Sequence, residues 1–436
     1  MMEKLKTIVL TLLVALSLIQ TYMLVYNQPD FYPVTQEEYL ETELIGTQQS
    51  ADNLIFPKDI LLHMGDGTHR LLYPKLPYYE RIFERIQQRV FEGIEVVPTG
   101  ALPRSDWRVN KLGIELRFSD SIPMPLLQHV LQLPAEAADD DVRIERIWIT
   151  LTDEPNEVRT FLYTDQPTLI YEAARADLKS EDIEQFVMYH GLFTSYERWH
   201  GQVYLPKRDL VYAELQVPYF QFTPDQLQQS LFVDPGNSHK ILERDGTEIY
   251  TDGRRGLQIH QRNRWMSYTD PVPGNRYLNQ MEDLFAAVRF INQHGGWNGA
   301  YALEGLPDDE QMMFSFRAYM QSARNYAALP LLSQRNAPFG YIQVQLQNGI
   351  ITHYERSLLN LEIDHAQPVR LVSLIGGEHL KEALLSHYSR YSIADVYPAY
   401  RPQLLDGTMV LTPVWAVQLT DGSTEILPDS VRQSAE

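Results

Sequence analysis

The apolar segment near the N-terminus constrains this chain most, because it decides on which side of a membrane the remaining residues lie. Residues 7–26 contain no charged side chain. At about 1.5 Å per residue, a helix of this length reaches about 30 Å, the thickness of the hydrocarbon core of a bilayer. The sequence therefore predicts one transmembrane helix at residues 7–26.

Charged residues around this segment predict its orientation. Lys4 and Lys6 precede it, and no Lys or Arg follows it before Lys58. The positive-inside rule therefore places residues 1–6 in the cytoplasm as a short stub and the bulk of the chain outside the cell, in a single-pass protein of the cell membrane.

A cleaved signal peptide is the alternative interpretation of the same segment. Ala15-Leu16-Ser17 has the small-x-small pattern that a signal peptidase recognises. Apolar residues nevertheless continue to Val25, further than the short apolar region of a signal peptide. This length favours a helix that stays attached.

The predicted helix has two different faces. At about 100° per residue, one arc is small or hydroxyl-bearing and the opposite arc is aliphatic. Small residues let helices approach closely in lipid, and hydroxyl groups bond across the contact. We therefore predict a partner-helix face made of Thr7, Thr11, Ala15, Ser17, Thr21 and Tyr22. The alternative is that these hydroxyl groups bond carbonyls of their own helix.

Composition excludes several classes of function. The formal net charge of -20 repels nucleic acids and anionic lipid head groups. The chain has no cysteine, which removes disulfides, thiolate metal ligands and a cysteine nucleophile. A hydrophobic content of 44% favours folded domains over a disordered tail.

Hydrophobic periodicity predicts an α+β fold built on antiparallel sheets. Asp-Gly and Asn-Gly turns are frequent, which favours hairpins, and helices fall between groups of strands rather than between single strands. A hairpin is predicted at residues 59–73 around Gly65-Asp66-Gly67. Helices are predicted at 78–91, 125–132, 169–176, 180–189, 224–232, 278–292 and 378–388, and the last strands at 396–400, 409–411 and 414–419.

About 400 residues outside the membrane are too many for one ordinary core, so the sequence predicts two or three domains. The pattern of a helix followed by strands recurs from about residue 205, which suggests the divisions. The predicted organisation is a stalk at 27–53, an N-terminal α+β domain at 54–200, a middle α+β domain at 201–275, a C-terminal α+β domain at 276–428 and a tail at 429–436.

The sequence carries no motif of a known catalytic or cofactor site. It lacks G-x-G-x-x-G, P-loop, G-x-S-x-G, H-E-x-x-H and EF-hand patterns. We therefore expect no enzyme activity, no cofactor and no metal. Two alternatives stay open: a wall-active hydrolase with two carboxylates about 5–10 Å apart, and a wall- or peptide-binding module without catalysis.

Two local features have a possible ligand role that we weigh against an ordinary structural one. His63 and His69 flank the predicted turn and could meet across the hairpin, but no third ligand is spaced for a metal, so solvated histidines are expected. Asp139-Asp140-Asp141 lies beside Glu136 but lacks the alternating ligands of a calcium loop, so a solvated acidic turn is expected.

Two aromatic features have a possible role in partner binding. Residues 290–297 end in His294-Gly295-Gly296-Trp297, which favours a helix cap covered by an aromatic side chain; contact of His294 or Trp297 with a partner is the alternative. Residues 397–402 and 413–415 are rich in aromatic residues and proline, and are interpreted either as core edges or as a protein-binding patch.

Several motifs resemble the YycH (WalH) family, and the resemblance spans the whole chain. They are Leu5-Lys6-Thr7 with Leu10-Thr11-Leu12-Leu13, Tyr26-Asn27-Gln28-Pro29, Tyr250-Thr251-Asp252-Gly253-Arg254 with Met266-Ser267-Tyr268, and residues 290–297. The C-terminal third also resembles the sister protein YycI, in Gly340-Tyr341-Ile342, Asn348-Gly349, Tyr397-Pro398-Ala399-Tyr400 and Pro413-Val414-Trp415. After Phe316-Arg317-Ala318-Tyr319 the chain departs from the family, with Ser322-Ala323-Arg324-Asn325 in place of a G-Y-P-V stretch.

This resemblance implies a regulatory accessory protein of the YycG/YycF (WalK/WalR) two-component system of low-G+C Gram-positive bacteria. Its implied partners are the sensor histidine kinase YycG (WalK), which governs cell-wall metabolism, and YycI (WalI). In that family the transmembrane helix contacts the membrane helices of the kinase, and the outer domains modulate the signal. The implied role is signal transduction without catalysis.

Overall fold

The structure is a computed structural model that describes residues 46–98, 104, 106–134, 142–187, 193–260, 262, 264–271, 280–307, 313–322, 326–332, 339–405, 407–428 and 431–432, with isolated positions between 4 and 17. Residues 1–40 and residues 41–436 form two compact units. The account that follows concerns the second unit.

Within the described part of the chain, none of the helices combines the length and the apolar character needed to cross a membrane. The predicted helix at 7–26 falls almost entirely outside the described residues. The same holds for the predicted partner-helix face except for Ser17, which lies in a helical segment. Both stay predictions.

A nine-stranded antiparallel sheet forms the N-terminal half of the second unit. Its order is β3-β7-β6-β5-β4-β1-β2-β8-β9, so the predicted hairpin of β1 and β2 lies inside the sheet. The strands are β1 Asp59–Met64, β2 His69–Leu72, β3 Phe91–Val96, β4 Leu112–Pro123, β5 Arg143–Leu151, β6 Val158–Thr164, β7 Ile170–Ala176, β8 Ser195–His200 and β9 Val203–Pro206.

Four helices accompany this sheet: α1 Pro77–Gln87, α2 Trp107–Asn110, α3 Met124–Val130 and α4 Ser180–Val187. Helix α1 begins at a proline, whose fixed φ suits the first turn. Its buried side chains recur at helical spacing, as the sequence predicted, at Tyr79, Ile82, Phe83 and Ile86.

The helix predicted at 169–176 is wrong, because Ile170–Ala176 is strand β7. The strand is hydrogen-bonded on both sides, to β3 and to β6. On the β6 side Arg159 makes a two-pronged ion pair with Glu172, at 2.5 and 2.6 Å. Cross-strand partners therefore override the helical propensity of the Glu-Ala-Ala-Arg stretch.

Two further antiparallel sheets form the C-terminal half. One has the order β22-β23-β10-β21-β25, with β20 beside β10 and β24 beside β23; the other has the order β11-β12-β13-β14-β19-β18-β16-β15, with β17 beside β16. Their strands are β10 Leu210–Gln221, β11 His239–Leu242, β12 Glu248–Thr251, β13 Gly256–His260, β14 Trp265–Thr269, β15 Ala300–Gly305, β16 Phe314–Gln321, β17 Ala328–Pro330, β18 Tyr341–Gln347, β19 Ile350–Ser357, β20 Leu359–Leu361, β21 Gln367–Leu374, β22 Ile393–Leu405, β23 Thr408–Leu419, β24 Thr424–Ile426 and β25 Val431–Arg432.

Three helices belong to this half: α5 Pro224–Leu231, α6 Gln280–Gln293 and α7 Gly377–His387. Helix α5 starts with a capping box, in which the Gln226 amide donates to Thr223 Oγ1 and the Thr223 amide donates to Gln226 Oε1. Helix α6 packs on β19, where the rings of Phe290 and Tyr354 meet edge to face at 5.2 Å.

Strand pairing bears on two details of the predictions. The two strands predicted at 409–411 and 414–419 are one strand, β23. On one side of it, β10 pairs with residues 408–411 and β24 with residues 416–418, which leaves Pro413 in a gap between these two partners. Strand β14 pairs with β19, so one sheet crosses the predicted boundary at residue 275. The division into three domains stays a prediction.

Mostly antiparallel sheets with interspersed helices confirm the α+β fold class.

Candidate functional site

The first candidate site lies within the second unit, where its first described residues meet the turn after α6. We call residues 46–49 together with 292–297 the N-terminal junction. The Thr47 amide donates to the Trp297 carbonyl at 2.8 Å, and the Trp297 amide donates back to the Thr47 carbonyl at 3.0 Å. Thr47 Oγ1 also donates to the Trp297 carbonyl, at 3.1 Å. These bonds attach the end of the predicted stalk to the turn after α6.

Asn292 holds the junction from the helix side. Its Oδ1 accepts from the Gln49 amide at 3.0 Å and from Trp297 Nε1 at 2.8 Å. Its Nδ2 donates to the Gln49 carbonyl at 2.8 Å. The carboxamide of Asn292 therefore binds both the backbone of Gln49 and the indole of Trp297.

Two glycines permit this close approach. Gly296 has φ +63°, and a Cβ there would lie 2.9 Å from the Thr47 carbonyl oxygen. A Cβ at Gly46 would lie 2.6 Å from the Trp297 carbonyl oxygen. Side chains at either position would push the segment away from the turn.

The predicted helix cap at 290–297 is confirmed. The Gly296 amide donates to the Ile291 carbonyl at 2.8 Å, and Trp297 is fully buried over the turn. His294 is 3% exposed and lies 2.9 Å from Ser230 Oγ, and burial lowers its pKa to about 4. Burial of both side chains contradicts the alternative that they contact a partner.

The histidines of the β1–β2 hairpin form a buried cluster, so the expectation of solvated histidines is wrong. His63 and His69 are 0% and 1% exposed, and their Nδ1 atoms lie 3.0 Å apart. His63 Nε2 lies 3.2 Å from Glu115 Oε2, on β4. The rings of Trp148 and Tyr204 pack on the pair, with ring centres 6.1 Å from that of His63 and 4.9 Å from that of His69.

Glu115 organises the charge of this cluster. Arg146 Nη1 lies 2.8 Å from Glu115 Oε1, and Arg108 Nε lies 3.3 Å from Oε2. Despite complete burial, these cations and His63 hold the pKa of Glu115 well below its usual range. Because Glu115 is ionised, His63 donates from Nε2 and accepts at Nδ1 from His69.

The two aromatic and proline-rich motifs belong to the core. Pro398, Ala399 and Tyr400 on β22 lie opposite Trp415, Val414 and Pro413 on β23. Tyr400 and Trp415 are fully buried, and their polar atoms donate to the carbonyls of Ala213 and Ile375, each at 2.9 Å. Of the two interpretations that the sequence allowed, packed core edges is confirmed.

A cavity of about 420 Å³ lies where the three sheets meet. Strands β1 and β4, with Tyr73 after β2, contribute one wall, β15, β16 and β18 a second, and β22 and β23 a third. Its lining includes Lys58, Tyr73, Glu304, Arg317, Tyr341 and Tyr397. We call this the three-sheet cavity.

Arg317 is the centre of hydrogen bonding in this cavity. It forms an ion pair with Glu304, and its Nη1 donates to Tyr397 Oη at 3.2 Å. Its guanidinium carbon lies 5.0 Å from the centre of the Tyr341 ring. The carboxylate fixes the guanidinium, and burial raises the pKa of Glu304.

Sequence reasoning missed the three-sheet cavity. Its residues run from Lys58 to Thr424, so no spacing pattern could bring them together. The available signal was the motif Phe316-Arg317-Ala318-Tyr319, whose Arg and second aromatic residue line the cavity while Phe316 is buried.

A metal site is a further candidate. Among the described residues, no three His, Asp or Glu side chains lie together as they would around a metal ion. The acidic run Asp139–Asp141 and Glu136 fall outside the described residues.

Comparison with known proteins identifies the family. Residues 3–188 match the family described as YycH protein, N-terminal domain, and residues 200–427 match YycH protein, C-terminal domain. The two-component system WalR/WalK regulatory protein YycH of Bacillus subtilis (strain 168) is 23% identical over 467 residues, which cover 99% of this chain and 98% of that protein. The crystal structure of YycH from Bacillus subtilis superposes with a TM-score of 0.67 at 20% identity, over 89% of this chain and 100% of that chain, and so shares the fold. The chain therefore belongs to the YycH family.

Proposed function

We propose that this chain is a single-pass protein of the cell membrane, with a cytoplasmic N-terminus and an extracellular bulk, that regulates the sensor histidine kinase YycG (WalK). In this proposal it acts with YycI (WalI) through contacts between transmembrane helices, in the control of cell-wall metabolism. The observation that carries the proposal is the match, over 99% of the chain, to a relative named as a WalR/WalK regulatory protein.

The N-terminal segment supports the membrane part of the proposal. The N-terminal family match begins at residue 3, so the apolar residues 7–26 lie inside the region that defines the family. A helix with one face of small and hydroxyl-bearing residues is suited to packing against other helices in lipid.

The N-terminal junction supplies a physical route for the signal. Regulation across a membrane requires that the states of the outer body differ in their contact energy with the helices. Thr47 and Gln49 make five hydrogen bonds with Trp297 and Asn292. In this proposal, a displacement of α6 is passed through these hydrogen bonds to residues 46–49, the end of the predicted stalk.

The test replaces the predicted partner-helix face. Thr11, Ala15 and Ser17 are changed together to Leu in the full chain, and association with the kinase is measured by co-purification from membranes. We expect association to fall at least about tenfold, because bulky side chains separate helices that small ones let approach.

A matched control changes Val9, Ile19 and Met23, on the aliphatic side, to Leu. This triple variant keeps the same number of substitutions and should associate with the kinase as the unaltered chain does. Equal association of all three proteins would remove the predicted face from the proposal. Loss in both variants would show that the contact is not confined to the predicted face.

A further inference from the structure

The geometry points to a function for the three-sheet cavity: we propose that it binds a neutral saccharide of one or two sugar rings. The site lies in the outer body and is independent of the proposed kinase regulation, since helix contacts and cavity binding are measured separately. Its volume of about 420 Å³ falls in the range typical of ligand pockets, about 300–1,000 Å³.

Charge balance in the cavity selects a neutral ligand. Each charged side chain that lines the cavity has a partner of opposite charge: Glu304 pairs with Arg317 in the lining, and Asp59, Lys58 and Asp120 pair with Arg117, Asp395 and Arg143, which lie outside it. The sum of these eight charges is zero. A charged ligand would therefore meet no free counter-charge in the lining, and its desolvation would go uncompensated.

The ions of these pairs are also held close together by short hydrogen bonds. Lys58 Nζ lies 2.5 Å from Asp395 Oδ2, and Arg117 Nε and Nη2 lie 2.6 and 2.7 Å from the Asp59 oxygens. Breaking such a buried pair to bind an ionic ligand would leave the other partner uncompensated. The pairs therefore act as fixed dipoles that can bond hydroxyl groups.

The chemistry of the remaining lining selects a ligand with polar edges and apolar faces. Hydroxyl and amide groups come from Ser315 and Gln343, which bond each other at 3.0 Å, and from the tyrosines. Tyr341 and Tyr397 are only partly buried, and both side chains line the cavity. A sugar ring combines C–H faces that pack on aromatic rings with hydroxyl groups at its edge.

Binding is tested on the full chain in a detergent without a sugar head group. Ligand-observed saturation-transfer NMR is recorded with N-acetylglucosamine and its β-1,4-linked disaccharide. Glucosamine, which is cationic, and glucuronate, which is anionic and keeps the sugar ring, are the probes of matched size and different charge. We expect saturable transfer to the neutral sugars and at least about tenfold weaker binding of the charged ones.

Substitutions locate the binding. Tyr341→Ala should weaken binding about tenfold, whereas Tyr341→Phe, which keeps the ring, should stay within about twofold. Tyr391→Ala is the control, because Tyr391 is 84% exposed and does not line the cavity. Gln343→Ala, a smaller change at a partly buried side chain, gives a second cavity variant if Tyr341→Ala does not fold.

Three results would overturn the proposal. They are no saturable transfer to either neutral sugar, equal binding of the charged and neutral probes, and binding that both cavity variants leave unchanged. Preserved kinase association in a variant that has lost sugar binding would support the cavity as a separate site.

Discussion

The buried histidine pair makes the second unit sensitive to acid. In the hairpin cluster, Glu115 carries one negative charge against the positive charges of Arg108 and Arg146, so the cluster is already cationic. A proton on His69 adds a further positive charge in a site that is 1% exposed. Burial, together with repulsion from His63, lowers the pKa of His69 to about 3.

The magnitude follows from the difference between the folded and unfolded pKa of His69. The unfolded chain takes up this proton near pH 6.5, and the folded chain takes it up near pH 3. Between these values the unfolded state binds more protons, so stability falls as the pH falls. From about pH 7 to about pH 5, His69 alone should lower the free energy of unfolding by about 2 kcal/mol.

The assay is urea unfolding at both pH values, followed by tryptophan fluorescence. Trp148 is a local reporter, since its ring centre lies 6.1 Å from that of His63. The variant His69→Gln should show a loss between the two pH values that is smaller by about 2 kcal/mol. His239→Gln, at an exposed position, should behave as the unaltered chain does. Identical losses in His69→Gln and the unaltered chain would refute the reasoning.

The remaining predictions concern the junction and one helix. Asn292→Ala removes three hydrogen bonds and should destabilise the N-terminal junction by about 2–4 kcal/mol, measured as faster amide hydrogen exchange at residues 46–49. Gln293→Ala, at an exposed position, should leave this exchange unchanged. Unchanged exchange in Asn292→Ala would contradict the role given to Asn292. Gly296→Ala should lower the melting temperature, because the left-handed φ and the clash with the Thr47 carbonyl both oppose a Cβ; an equal or higher melting temperature would argue against this geometry. Thr223→Ala should cost about 1 kcal/mol in urea unfolding through loss of the capping box, and a neutral result would mean that the cap is replaced by water.

Local signals in the sequence predicted local structure well. The Gly65-Asp66-Gly67 turn, the buried periodicity of α1 and the Thr-Pro-Asp start of α5 each predict an element that the structure contains. In each case the deciding interactions lie within a few residues. The fold class followed from the many turn signals between short strands.

Non-local interactions account for the wrong predictions and for what was missed. Residues 170–176 form a strand because β3 and β6 lie beside them, and the sequence of the segment does not predict those partners. His63 and His69 are buried because Trp148 and Tyr204, from strands distant in the sequence, pack on them. The three-sheet cavity unites positions hundreds of residues apart, so its chemistry could be recognised only in three dimensions.

The position of β10 in its sheet has a consequence for how the protein matures. The strands that pair with β10, at residues 210–221, come from much later in the chain: β20 at 359–361, β21 at 367–374 and β23 at 408–419. While the polypeptide is being made, β10 therefore keeps an open edge until nearly the last residues emerge. Assembly of this sheet must wait for the end of synthesis, and a premature stop before residue 367 would leave β10 without β21 and β23 and open to aggregation.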